Sequence, residues 1–70
     1  MGFEKKILDV ISPALETGDH AEFYNGTLFL EGVSDKTGKD VYNILVNELG
    51  KDKFNFNIYN PVNGFVVDFR

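Results

Sequence analysis

The seventy-residue sequence predicts an α+β fold, a two-layer sandwich in αββαββ order with two helices on one face of a four-stranded antiparallel sheet. Three observations lead there. Apolar residues recur with helical spacing twice, near the N-terminus and again from Thr37. After each such stretch the period falls to two, interrupted by an Asn-Gly turn signal. The halves also echo each other, Ile7-Leu8-Asp9-Val10-Ile11 resembling Val41-Tyr42-Asn43-Ile44-Leu45.

In the first helical segment Phe3, Ile7, Val10, Ile11, Ala14 and Leu15 fall on one face, with Glu4, Lys5, Lys6 and Asp9 opposite. Pro13 would remove a backbone hydrogen bond and clash with the Asp9 carbonyl, so a kink or break is expected there. Gly18 is expected as a left-handed stop.

The stretch AEFYNGTLFLEGV reads as a hairpin turning at Asn25-Gly26, the pair that best tolerates the two positive φ angles of a type I′ turn. That turn sets Phe23 opposite Leu28 and Ala21 opposite Leu30 on one apolar face. Tyr24 then meets Thr27, and Glu22 meets Phe29, on the other.

The second helix is expected from Thr37, with Val41, Ile44, Leu45 and Leu49 as its apolar stripe and Gly50 as its stop. Thr37 and Asp40 have capping-box spacing, though Asp is shorter than the usual Glu or Gln. Tyr42 and Val46 flank the stripe, where they either widen the core or form half of a dimer contact.

The second hairpin follows. Phe54, Phe56, Ile58 and Val62 alternate with asparagines and Tyr59, and Phe65, Val67 and Phe69 alternate with Val66, Asp68 and Arg70. A two-residue turn at Asn63-Gly64 and a four-residue turn over 61–64 both keep the apolar faces matched. The repeated αββ order is a circular permutation of the ferredoxin-like βαββαβ arrangement, which it resembles as a topology.

Composition bounds the function. The chain, residues 1–70, reads as one small domain whose core comes from 43% apolar residues, including seven Phe and three Tyr. With no cysteine there is no disulfide framework and no Cys-based zinc site, which favours an intracellular, cytoplasmic protein. The N-terminus has neither a signal-peptide core nor an apolar span, so no membrane role is expected. A formal charge of −4, with acids spread along the chain, argues against nucleic acid as a partner. Six lysines to one arginine, with abundant Asn and Phe, is the bias of an AT-rich genome and points to a bacterial or phage source.

Residues 32–40, GVSDKTGKD, look like a phosphate-binding loop but fail its spacing. Five residues separate the glycines where four are needed, and Asp40 follows the lysine where Ser or Thr would hold Mg²⁺. A polar turn and helix cap over 34–38 is the expected reading. His20 lies near Glu16, Asp19 and Glu22, yet one imidazole among scattered acids reads better as a solvated turn residue than as a metal ligand. Ser12 and Ser34 lack a basic partner, and Asp35 with Asp40 fits no calcium-loop spacing. No catalytic residue, metal site or cofactor is therefore expected, and the chain is not expected to be an enzyme.

What remains is the sheet face turned away from the helices. There Tyr24, Phe29, Tyr59 and Val66 are expected among Glu22, Thr27, Glu31, Asn55, Asn57, Asp68 and Arg70. RNA-recognition sheets stack bases on such aromatics, but within basic surroundings, whereas acids dominate here. The expected function is a non-catalytic protein-binding module, taking a protein partner or forming a homodimer through this face. The alternative is a small acidic phage or bacterial inhibitor that mimics nucleic acid before a basic host protein. A purely structural role, in which the aromatics stabilise strands by cross-strand pairing, competes with both. A strand over 54–60, if left at an edge, would be open to pairing with another chain.

Overall fold

The structure, a computed structural model, describes residues 2–59 and 63–70. Helix α1 (Phe3–Ile11) ends as expected at the proline, where residues 12–14 tighten into a single 3₁₀ turn with Pro13 inside it. Gly18 does not stop the helix. It sits at φ 94° within a turn closed by Asp19 N–H on Glu16 O at 2.9 Å, the positive angle that type II turns require at their third residue.

Strands β1 (His20–Tyr24) and β2 (Thr27–Glu31) form the first hairpin in the expected register, with Phe23 opposite Leu28 and Ala21 opposite Leu30. Asn25 at φ 52° and Gly26 at φ 81° carry the two positive angles of the tight turn. Helix α2 (Asp35–Leu49) starts before Thr37, and this corrects the expected cap. The capping residue is Ser34, extended at ψ 163°, whose hydroxyl accepts from the Thr37 N–H at 3.2 Å and donates to the Thr37 hydroxyl. Thr37 is buried inside the first turn, and Asp40 points instead toward Lys36 at 3.5 Å.

Strands β3 (Phe54–Tyr59) and β4 (Gly64–Phe69) pair with Ile58 opposite Phe65 and Tyr59 opposite Gly64. The connection therefore runs over residues 60–63, and both expected turns are displaced by one or two residues. Pro61 and Val62 lie outside the described residues. All these registers share one parity, so the apolar faces still match.

The sheet is antiparallel in the order β1-β2-β4-β3. Moving the first strand of the ferredoxin-like arrangement to the end of the chain produces this same order. β2 and β4 are central, and they join the two αββ halves by pairing Leu28 with Val67 and Leu30 with Phe65. Ile7 and Ile11 of α1 and Val41 and Leu45 of α2 pack against Leu28, Leu30, Phe54, Phe65 and Val67, so both helices share one face. Phe3, although 47% exposed, closes one end of this layer with its ring edge-on to Phe69.

Two glycines mark close approaches. A Cβ on Gly64 would lie 1.8 Å from the Leu30 carbonyl oxygen, and one on Gly38 of α2 would lie 2.5 Å from the Phe65 ring. The first obstacle is backbone, whereas the second is the far end of a side chain. A domain of this size has only about 4–10 kcal/mol of stability to lose. Gly64→Ala should cost about 3 kcal/mol or more, since β2 and β4 must separate. Gly38→Ala should cost about 1–2 kcal/mol, the ring displacement being partly offset by alanine's better helix propensity. Urea unfolding of the two variants checks both the sizes and their order.

Candidate functional site

On the face away from the helices the three strand registers stack the side chains into rows. One row reads His20, Glu31, Gly64, Tyr59, the next Glu22, Phe29, Val66, Asn57, and the third Tyr24, Thr27, Asp68, Asn55. Phe29 and Val66 occupy the middle of the grid, half-buried by their neighbours. Tyr59 stands one row and two strands away from Phe29. The intervening position in its own row is Gly64, and without a side chain there the two rings meet edge-on with centroids 5.7 Å apart.

Tyr24, 65% exposed, lies at the far corner of the grid. It reaches the cluster only as one wall of a depression of about 210 Å³ lined by Glu22, Tyr24, Phe29, Glu31 and Tyr59. Three aromatic rings and two carboxylates thus open onto one small space. Such a site offers ring faces and negative charge together, the combination that attracts ammonium and guanidinium groups.

The remaining polar groups on this face are partly tied down. The Thr27 hydroxyl donates to an Asp68 carboxylate oxygen at 2.9 Å across the β2–β4 pair. Arg70 donates to the Asn55 side-chain oxygen at 3.0 Å. His20 opens β1 as an exposed strand residue, not the expected turn residue, and its Nε2 lies 2.8 Å from a Glu22 carboxylate oxygen. That hydrogen bond raises the imidazole pKa above its ordinary 6.5; desolvation opposes the rise, and the charges of Glu22 and Glu31 add to it. Below its pKa the histidine therefore sets a positive charge against Glu22, one of the two acids lining the depression.

Residues 32–38 are a cap and a first helical turn. The Gly32 and Val33 amides donate to the Asn63 carbonyl at 2.7 and 3.0 Å, and those of Thr37 and Gly38 donate to Ser34. Four of the amides of this segment are thus already engaged within the chain. Among the described residues no group of three His, Cys, Asp or Glu side chains is placed to hold a metal ion. No helix among them is long and apolar enough to cross a membrane.

The sequence reading missed one further feature. Ile58 does face the helix side, but it is 71% exposed, because β3 is an edge strand and the α2 residue level with it, Gly38, has no side chain to cover it. It lines a groove of about 470 Å³ with Phe56, Phe65, Gly38, Tyr42 and Lys39. Tyr42 leans its ring onto Phe54 and Phe56 at 5.8 and 5.6 Å while staying 38% exposed, and Val46 packs half-buried on the core. These two residues do widen the helix stripe. Compared with protein-family models, curated proteins and solved structures, the chain matches none.

The histidine pair gives a direct check. In a proton NMR titration the His20 midpoint should lie above 6.5 and fall back toward it in Glu22→Gln. Since the folded pKa is the raised one, the pair's stabilisation is full below 6.5 and is lost as pH rises through the folded pKa. The wild type's excess thermal midpoint over Glu22→Gln should therefore shrink across that window as pH increases.

Proposed function

We propose that the protein is a non-catalytic protein-binding module that engages its partner through the outer face of the sheet. The observation that carries this reading is the acid-flanked aromatic depression formed by Glu22, Tyr24, Phe29, Glu31 and Tyr59, with Val66 paired beside Phe29 on the same face. Aromatic residues with rigid rings concentrate binding energy at interfaces, and flanking charges select the partner and speed encounter. The partner this face suits presents an apolar group beside lysine or arginine. A nucleic acid does not suit it, because Glu22, Glu31 and Asp68 would oppose the phosphates. Self-association belongs to the same reading, with a second copy of the chain as one partner.

The cross-strand pairing of Phe29 with Tyr59 also stabilises the sheet, by about 0.5–1.5 kcal/mol for such a ring pair. The two roles are separable by experiment. A variant carrying Tyr24→Ala, Phe29→Ala and Tyr59→Ala should still unfold cooperatively but bind its partners at least about 30-fold more weakly, as loss of a central aromatic cluster does. Partners identified by quantitative affinity capture, then titrated against wild type and variant, provide the measurement. Unchanged partner affinities together with an unchanged oligomeric state would remove the outer face from the account.

A further inference from the structure

The two edges of the sheet are built differently. β1 is short and carries Glu22 at its centre with His20 beside it, so pairing with a second β1 would set Glu22 against like charge. β3, the opposite edge, reads Phe-Asn-Phe-Asn-Ile-Tyr over its six residues, with no charge and no proline. It has none of the usual devices that keep an exposed edge from pairing. Beside it, on the helix side, lies the groove under Tyr42 with Ile58 largely uncovered.

We infer that β3 is a dimerisation edge, and that its occupant is β3 of a second copy, extending the sheet to eight strands across a two-fold axis at Asn57. This inference goes beyond the proposed function, because the β3 edge is a surface separate from the aromatic depression. Antiparallel pairing about Asn57 joins positions of equal parity, so the helix layers of the two copies lie on the same side. It sets Phe56 against Ile58 of the second copy, twice, and Asn57 against its own equivalent. The most exposed apolar side chain near this edge thereby gains an aromatic neighbour, and the asparagine amides supply both donors and acceptors at the axis.

Charge does not oppose the contact. The charged residues lining the groove are Asp35 and Lys39, opposite in sign, and a two-fold axis presents each copy's pair to the other in reverse order. The net charge of −4 is carried elsewhere. Size sets the strength. One side of a body measuring 25 × 22 × 22 Å offers about 500 Å² per copy, hence about 1,000 Å² in total, at the lower bound for a specific interface. A reversible dimer is therefore expected, and the isologous contact closes at two chains.

The test is solution mass by sedimentation equilibrium from about 10 to about 500 μM protein, the range that suits an interface of this size. Wild type should move from one chain toward two. Ile58→Lys and Asn57→Lys, both at exposed positions, should keep the wild-type circular dichroism and remain monomeric throughout, the second because it brings like charges together on the axis. Amide hydrogen exchange should show concentration-dependent protection within residues 54–59 of the wild type. Tyr24→Ala should dimerise as the wild type does. A wild type that stays monomeric, a mass that grows past two chains, or folded variants that dimerise undiminished would each overturn the edge contact. Any of these would leave the outer-face reading to the partner titrations of the triple variant. Loss of partner affinity in that variant with the dimer intact would separate the two surfaces.

Discussion

The pairing of β2 with β4 is the contact on which the remaining architecture depends. Each αββ half buries one helix stripe and one hairpin face, and neither two-stranded hairpin would be stable alone in water. Joined through Leu28 with Val67 and Leu30 with Phe65, they form one sheet whose apolar side is wide enough for both helices. The joint is tight at one end. Gly64 approaches the Leu30 carbonyl so closely that no other residue fits, and the neighbouring Asn63 carbonyl accepts from Gly32 and Val33 as the chain leaves β2.

That same joint shapes the outer surface. Because Gly64 presents no side chain, Tyr59 reaches across its row to Phe29, and an aromatic pair forms between strands that are not neighbours. The acids Glu22 and Glu31 then bound the depression beside it from β1 and β2. A structural constraint on one backbone position therefore leads to the most distinctive chemistry on the molecule.

The helix side answers to a different constraint. α2 approaches the sheet closely at Gly38, where Phe65 occupies the space a side chain would need. Tyr42 covers Phe54 and Phe56 from the same helix one turn later. Ile58, the partner of Phe65 on the edge strand, lies level with Gly38, which has no side chain to cover it, and so borders an open groove.

Much of this was legible in the residues themselves, where the cause is local. Helical and period-two spacing place each element, Pro13 ends α1 through its missing N–H, and Asn25-Gly26 dictates the first hairpin register because the turn's own dihedral angles do so. Parity alone puts Phe29, Tyr59, Val66 and Tyr24 on one face. What the sequence left open depends on atoms distant along the chain. Strand order determines that Tyr59 touches Phe29 while Tyr24 stands at a corner. The second hairpin pairs Tyr59 with Gly64, a register its sequence left open, and Ser34 replaces Thr37 as the cap while Thr37 is buried. Ile58 has the sequence pattern of a core residue, and only its place on an edge strand beside the side-chain-free Gly38 leaves it exposed.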